Sequence, residues 1–167
     1  MQHHADKVER EFLDVYSKQS DALFRFCYFR VFDRERAKDL VQETFMRTWK
    51  QIAEGADIEN IRAFLYRVAR NLVIDESRKK KALSLDALQE GGFDPAAPTP
   101  QPTDPIDAQR LLAALDAVDE QFREVLVMRF VDDLQPREIA SILEESANVI
   151  SVRVHRGIKQ LRERFRP

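Results

Sequence analysis

The sequence is poor in the residues from which many enzyme sites are built. Its 167 residues include one cysteine, Cys27, and three histidines, so neither an intrachain disulfide nor a cysteine-based metal site can form. Four glycines disfavour a turn-rich β fold, and the sequence has no glycine-rich phosphate loop and no His-Glu-x-x-His spacing. We therefore expect a protein that is not an enzyme and that needs no cofactor, metal ion or small-molecule substrate.

Long apolar stretches are also missing. The apolar core of a signal peptide does not follow Met1, and no stretch approaches the roughly 18 apolar residues of a membrane span. A lone cysteine is typical of a reducing compartment. We expect a cytoplasmic protein that is neither exported nor inserted into a membrane.

The net charge of −2 conceals two basic segments. Residues 62–81 carry seven basic and two acidic side chains, and residues 153–166 carry six basic side chains and one acidic side chain. An acidic connector separates them. This layout indicates two contact points on one polyanion.

Apolar residues that recur every three or four positions predict helices over residues 9–32, 34–52 and 58–81. Residues 54–57, which include Gly55, interrupt the pattern between the second helix and the third. The stripe predicted for the second helix consists of Ala37, Leu40, Val41, Phe45 and Trp49. For Trp49 we favour a place in the core over a place in an interface, because large aromatic side chains at helical spacing usually pack inward.

A proline-rich segment follows the third helix. Five of the seven prolines lie within residues 95–105, and residues 84–109 contain five acids and no base. Such a composition predicts an extended or disordered linker. The fold class that we predict is therefore all-α, with two small helical domains, residues 5–82 and 108–167, joined by a flexible acidic linker, residues 83–107.

Periodicity resumes at Leu111 and predicts a unit of four helices, the last two over residues 136–143 and 147–165. Pro136 would occupy the first helical position, and Ser146 would be the N-cap of the last helix. The buried stripe predicted for that helix consists of Ile150, Val154, Ile158, Leu161 and Phe165.

The last two helices and their short turn, residues 144–146, are typical of a helix-turn-helix. The polar and cationic outer face of the last helix consists of Asn148, Ser151, Val152, His155, Arg156 and Lys159. Such a face fits the major groove of DNA. The alternative is a basic amphipathic helix whose outer face is only solvated.

Three motifs then resemble those of one family. Residues 37–49 (AKDLVQETFMRTW) resemble regions 2.1–2.2 of the extracytoplasmic-function (ECF) group of sigma-70 factors, and residues 63–78 (AFLYRVARNLVIDESR) resemble regions 2.3–2.4. Residues 137–156, from REIA to VHR, are similar to region 4. The resemblance implies a sigma factor that binds bacterial core RNA polymerase and directs it to promoter DNA, for an alternative or stress-response regulon and with an anti-sigma factor as a further partner.

The resemblance also implies roles for individual residues. Those expected to dock on the clamp helices of the largest polymerase subunit are Asp39, Gln42, Glu43 and Arg47. Those expected at the promoter −10 element are Asp57, Asn60, Arg67, Arg70, Asn71, Arg78 and Lys79. Those expected at the −35 element are Asn148, Ser151, Val152, Arg153, His155, Arg156 and Lys159.

In this family a base of the non-template strand is captured beside the loop that precedes the third helix, here residues 54–60. Asn71 matches the asparagine of that pocket, and an amide suits the task because it offers both a donor and an acceptor. The alternative for Asn71 is a surface residue without a partner. The arginines and Lys79 would hold phosphates, which adds affinity without sequence information.

The sequence departs from the family at two places. Residues 148–153 are NVISVR, where the family commonly has GTVKSR, which puts the particular −35 sequence in doubt. The turn at Glu144 and Glu145 lacks the usual glycine. A stand-alone helix-turn-helix regulator is the alternative function, but its N-terminal half would be a ligand or dimerisation domain without a polymerase-docking motif.

Overall fold

The computed structural model describes residues 2–89, 110 and 113–165, and within the first stretch it describes the side chains of residues 7–85. By their internal contacts the residues divide into two units, Met1–Thr99 and Pro100–Pro167. Regular secondary structure is helical throughout the described residues, which confirms the all-α prediction. The predicted linker lies outside the described residues from residue 90 onward.

Three helices form the N-terminal unit: α1 (Gln2–Val31), α2 (Arg34–Ala53) and α3 (Ile61–Gln89). Each contacts the other two. Their core includes Phe26 of α1, Phe45 of α2 and Tyr66 of α3, all buried, and the rings of Phe26 and Tyr66 meet edge to face with centroids 5.1 Å apart. The apolar stripes predicted from the sequence are therefore the faces that the three helices bury against one another.

The ends of these helices follow local chemistry. The Asp33 side chain accepts a hydrogen bond from the Arg36 N–H (2.9 Å) and begins α2. Likewise the Asn60 side chain accepts one from the Ala63 N–H (2.9 Å), so α3 begins at residue 61 and not at 58 as predicted. Gly55, with φ +87°, lies in the predicted break. At its other end α3 continues to Gln89, beyond the predicted end at 81, because residues 82–89 contain neither proline nor glycine.

The position of Trp49 differs from the core position that we predicted. Its side chain is 36% exposed, and its ring packs on Phe12 of α1 with centroids 4.9 Å apart. Phe45, one turn earlier, is the residue of this pair that is buried in the core. The indole therefore lies at the rim of the core, where it covers Phe12 and still reaches the surface.

In the C-terminal unit a helical turn at residues 113–116 precedes α4 (Glu120–Phe130), α5 (Pro136–Leu143) and α6 (Ala147–Arg164). Pro136 is the first residue of α5, and a capping box joins Gln135 and Glu138. The Ser146 side chain accepts a hydrogen bond from the Val149 N–H (3.2 Å). Both predicted helix starts are thus confirmed.

The predicted buried stripe of the last helix is confirmed at four of its five positions. Ile150 is fully buried, while Val154, Ile158 and Leu161 pack against the cluster of Leu115, Val118, Phe122 and Leu126. Phe165 was predicted wrongly. It follows the end of α6 and is 60% exposed, because the helix ends before its next turn could reach the core.

Gly157 lies at a close helix contact that the predicted apolar stripe of the last helix did not indicate. A β-carbon on this residue would lie 2.8 Å from Cδ1 of Leu126 and 3.1 Å from Cβ of Phe122. Such distances are shorter than van der Waals contact. The backbone of α6 therefore approaches α4 at a point that admits no side chain, and this approach fixes how the two helices cross.

We expect Gly157→Val to destabilise the C-terminal unit by about 1–3 kcal/mol, since a branched side chain would force α4 and α6 apart. Gly157→Ala should cost less, because roughly 1 kcal/mol of improved helix propensity offsets the clash with the movable end of Leu126. Hydrogen exchange of the α4 and α6 amides in the full chain measures the difference. Ser141→Val, at an exposed position of α5, is the control; equal protection in all three variants would contradict the close approach.

Candidate polymerase and nucleic-acid interfaces

The faces of α2 and α3 leave a groove that contains two cavities. One, of about 430 Å³, is lined by charged side chains from both helices, among them Arg36, Asp39, Glu76 and Lys79; we call it the charged cavity. The other, of about 350 Å³, is lined by Arg47, Lys50, Gln51, Phe64, Val68 and Asn71; we call it the Phe64 cavity. Arg47 lines both, so the two cavities adjoin along the groove.

The structure brings together all four residues predicted to dock on polymerase. Asp39, Gln42 and Arg47 are exposed, Glu43 is half-buried, and all four line the charged cavity. Arg47 donates a hydrogen bond to the Glu43 carboxylate (2.7 Å), and the same face exposes Met46. An exposed apolar side chain among polar groups that can form hydrogen bonds is a common composition for a protein interface.

One ion pair closes the end of this groove and was not predicted from the sequence. The guanidinium of Arg36 in α2 donates two hydrogen bonds to the Glu76 carboxylate in α3, at 2.7 and 2.6 Å. The Glu76 side chain is only 12% exposed. The hydrogen bonds from Arg36 lower the pKa of Glu76 below its ordinary value of 4.5. The pair therefore joins the two helices beside the residues predicted to dock on polymerase.

The Arg36–Glu76 pair predicts acid sensitivity of the N-terminal unit. Because the pKa of Glu76 is lower in the folded state, its stabilisation is complete above pH 4.5 and is lost as the pH falls through the lowered value. We expect Glu76→Gln to cost about 1–2 kcal/mol at pH 7, since Arg36 can be solvated in the variant. The variant should also lose less stability than wild type on acidification.

Urea unfolding followed by the fluorescence of Trp49, the only tryptophan, measures the stability of this unit at each pH. Asp75→Asn removes the neighbouring exposed carboxylate and is the matched control. If Glu76→Gln unfolds like the control at pH 7, the ion pair does not stabilise the unit.

The residues predicted for the −10 element lie in different surroundings. Asp57 is exposed in the loop before α3, whereas the Asn60 carbonyl oxygen is already used to cap that helix. Arg67 and Arg70 are half-buried, and Asn71 and Arg78 are exposed. Lys79 lines the charged cavity with the four docking residues, which separates it from the other −10 residues.

The Phe64 cavity has the chemistry to hold an unstacked base. The Phe64 ring offers a stacking surface, the amides of Asn71 and Gln51 offer donors and acceptors, and Lys50 and Arg47 add positive charge. The Arg67 guanidinium lies over the Phe64 ring, 5.2 Å from its centroid. Lys50 and Gln51 were not predicted from the sequence to belong to this site, because only the packing of α2 on α3 brings them to Asn71.

The structure places six of the seven residues predicted for the −35 element on one exposed face of α6: Asn148, Ser151, Val152, His155, Arg156 and Lys159. The seventh, Arg153, is half-buried and forms an ion pair with Glu145 in the preceding turn (3.0 Å). Lys159 lies 3.9 Å from Glu163. Arg156 has no ion-pair partner among the residues that the structure describes. It is therefore the long cation of this face that is available to a ligand.

The turn between α5 and α6 explains how a chain without the usual glycine forms a helix-turn-helix. Glu144 adopts the left-handed conformation (φ 56°, ψ 40°) that glycine favours at a helix C-terminus. The Glu145 N–H donates a hydrogen bond to the Ala140 carbonyl (3.0 Å), and Arg153 holds Glu145 from the next helix. These contacts offset the strain of a side chain at that φ.

Two sets of side-chain hydrogen bonds hold this unit together, and the first joins α6 to the residue that precedes α4. The Asp119 N–H donates to the Gln160 carbonyl oxygen (3.1 Å), and the Gln160 amide donates to the Asp119 carboxylate (2.7 Å). The Arg123 guanidinium donates to the backbone carbonyls of Leu115 and Val118, at 2.9 and 3.2 Å. The first contact has no signal in the sequence, because Asp119 and Gln160 are 41 positions apart and only the fold brings them together.

Within the described residues, none of the helices is long and apolar enough to cross a membrane. The same residues contain no group of three or more histidine, cysteine, aspartate or glutamate side chains arranged to hold a metal ion.

Comparison with known proteins identifies both units. Residues 15–83 match the family model for sigma-70 region 2, and residues 108–161 match the family model for sigma-70 region 4. The ECF RNA polymerase sigma factor SigW of Bacillus subtilis (strain 168) is 29% identical over 166 residues, which cover 93% of this chain and 89% of SigW. SigX of the same organism, also an ECF RNA polymerase sigma factor, is 25% identical over 163 residues, with coverage of 93% and 84%.

Two solved structures share the fold. The sigma factor RpoE from Bartonella quintana, in complex with the anti-sigma factor NepR, matches with a TM-score of 0.69 and 23% identity, over 92% of this chain and 96% of RpoE. CnrH, in complex with the cytosolic domain of CnrY, matches with a TM-score of 0.66 and 22% identity, over 92% of this chain and 86% of CnrH.

The chain belongs to the sigma-70 family. It is an ECF RNA polymerase sigma factor, as the resemblance of its three motifs predicted.

Proposed function

We propose that this sigma factor docks on core RNA polymerase through the α2 face that carries Asp39, Gln42, Glu43 and Arg47. The observation that supports this assignment is the shared location of all four side chains on one charged cavity. The partner that we propose is the pair of clamp helices of the largest polymerase subunit. Residues 5–82 would then be the domain that binds polymerase and opens the −10 element.

We propose that the Phe64 cavity receives a base of the −10 element. Pulling a base from the stack costs a few kcal/mol, and the ring of Phe64, the amide of Asn71 and the nearby cations can return part of that cost. Asp57 and Asn60 belong to the loop at the entrance to α3. Arg67, Arg70 and Arg78 would hold phosphates.

The third element of the proposal is recognition of the −35 element by the exposed face of α6 in residues 108–167. Its short polar groups and Arg156 can reach base edges in the major groove, while Arg153 and Lys159 would contact phosphates. Residues 83–107 would connect the two domains. The protein would act on the chromosome in the cytoplasm, and its role would be regulatory, without a catalytic step or a cofactor of its own.

An anti-sigma factor is the remaining partner that we propose. Support comes from RpoE, whose solved structure contains the anti-sigma factor NepR and shares the fold of this chain. The identity of such a partner and its signal would be specific to this protein.

Transcription in vitro tests the proposed function. Purified chain mixed with core polymerase should yield transcripts from a defined subset of a genomic promoter library, and neither component alone should do so. Tight, sequence-specific binding of the isolated chain to duplex DNA, without promoter-specific transcription in the presence of core, would favour the stand-alone regulator instead.

We expect Arg156→Ala to relax sequence preference at one position of the −35 element and to cost about 1–3 kcal/mol on the preferred promoter. A contact to a base edge explains both effects, because Arg156 is free to reach a guanine. Transcription from promoters randomised across the −35 element measures them. Lys159→Ala is the comparison, since loss of a phosphate contact should weaken all sequences alike; an Arg156→Ala profile identical to wild type would remove α6 as the recognition helix.

A further inference from the structure

Three adjacent lysines of α3, Lys79, Lys80 and Lys81, are all exposed. Successive residues of an α-helix are separated by about 100° around its axis. The three ammonium groups therefore leave the helix in three different directions, although the sequence shows a single basic run. The direction of each lysine can be identified from the residues that precede that lysine on the same face of α3.

Lys79 shares its face with the polymerase-docking groove. It follows Asp75 by four residues and Glu76 by three, and all three side chains line the charged cavity with the docking residues of α2. Residues with these separations are neighbours on a helix surface. The positive charge of Lys79 is thus directed toward a predominantly acidic part of the groove.

Lys81 shares its face with three arginines. It follows Arg78 by three residues, Arg70 by eleven and Arg67 by fourteen, separations that place each of these arginines within about 60° of Lys81 around the helix. We call Arg67, Arg70, Arg78 and Lys81 the α3 basic stripe. The two acids of this part of the helix, Asp75 and Glu76, line the charged cavity, and Asp75, three residues before Arg78, borders the stripe. The stripe extends about 21 Å along the axis.

Lys80 lines neither cavity and is not part of the basic stripe, although its charge, like that of Lys79, lowers the pKa of Glu76. It follows Ala69 by eleven residues and Val73 by seven, and both of those side chains are buried. Lys80 therefore lies on the face of α3 that is packed in the core nearer the start of the helix, but its own side chain is exposed.

We infer that Lys81 is a further phosphate contact of promoter DNA and that Lys79 belongs to the polymerase-docking surface. The occupant of the basic stripe is a nucleic-acid strand, because four cations in line along one helix match a row of phosphates. The occupant of the groove is the polymerase, since Lys79 lies among the residues assigned to that contact. This inference rests on the proposed docking and DNA-binding faces.

Three single substitutions, Lys79→Ala, Lys80→Ala and Lys81→Ala, form a matched set, because they remove the same charge from neighbouring exposed positions of one helix. Each holoenzyme is assayed for binding to a fluorescent promoter fragment over a range of salt concentrations. The affinity of each chain for core polymerase is measured separately. The Lys81→Arg holoenzyme is included because it retains the charge.

Lys81→Ala should weaken promoter binding and reduce the slope of log affinity against log salt by about one, with core affinity unchanged and with recovery in Lys81→Arg. Lys79→Ala should lower core affinity and leave the salt slope of the assembled holoenzyme unchanged. Lys80→Ala should change neither measurement. Equal salt slopes for Lys80→Ala and Lys81→Ala, or a reduced slope for Lys79→Ala, would overturn the inference while wild-type holoenzyme still binds the promoter. Failure of the wild-type holoenzyme to bind any promoter would instead refute the proposed function.

Discussion

The double variant Asp39→Ala, Gln42→Ala should bind core RNA polymerase at least a hundredfold more weakly than wild type and should keep its helical content. Both side chains are exposed on α2, so their removal takes nothing from the hydrophobic core. Both line the charged cavity, and each contact that involves a charged group in an interface contributes roughly 1.5–3 kcal/mol. Alanine also favours the helix. The loss should therefore appear in binding and not in folding.

A matched control exists on the same helix. Glu35 and Lys38 are exposed and pair with each other (2.6 Å), and they lie outside the set of residues that lines the charged cavity. The double variant Glu35→Ala, Lys38→Ala should bind core nearly as wild type does. Titration of labelled core with each chain measures the affinity for core, and circular dichroism on the same samples measures the helical content. Wild-type affinity in the Asp39→Ala, Gln42→Ala variant would refute the docking face.

Asn71→Ala should leave polymerase binding and the closed complex largely unchanged but reduce the open complex about tenfold or more. The amide lines the Phe64 cavity, where one or two hydrogen bonds to a base edge would each contribute about 0.5–1.5 kcal/mol. Those bonds exist only once the base has left the stack, so their loss acts on melting and not on the initial encounter. Permanganate reactivity of thymines across the −10 element measures the open fraction.

Ser77→Ala provides the comparison for melting. Ser77 is an exposed polar residue of α3, and it lies about 120° around the helix from Asn71. The holoenzyme with Ser77→Ala should melt the promoter as wild type does. If Asn71→Ala does the same, the asparagine is a surface residue, which is the alternative that the sequence left open.

The agreement between sequence and structure is best where one helix determines the outcome. The buried faces of α1, α2 and α3, the position of Pro136 and the Ser146 cap all depend on residues within a few positions of one another. Hydrophobic periodicity and capping chemistry are local signals of this kind. For the same reason the exposed face of α6 was predicted correctly at each of its six positions.

The differences arise where two distant segments meet. Arg36 and Glu76 are 40 residues apart, and nothing near either residue indicates the other. Nothing in the sequence around Gly157 indicates that α4 packs against it. Lys79 was grouped with Arg78 because the two are adjacent in sequence, whereas the packing of α3 on α2 directs Lys79 into the groove. Such contacts require the angle and depth of helix packing, which periodicity does not contain.

The uninterrupted helix α3, 29 residues from Ile61 to Gln89, restricts the insertions that this part of the chain can accept. Insertion of one residue between Asn71 and Arg78 would rotate everything beyond it by about 100°. That rotation would turn Lys79 and Lys81 away from the partners that we propose for them, while the helix itself stayed intact. Only insertions of about seven or eleven residues restore the phase, and those would displace the far end by 10 Å or more, at about 1.5 Å per residue. The spacing along this helix is therefore under tighter constraint than the identity of most of its exposed side chains.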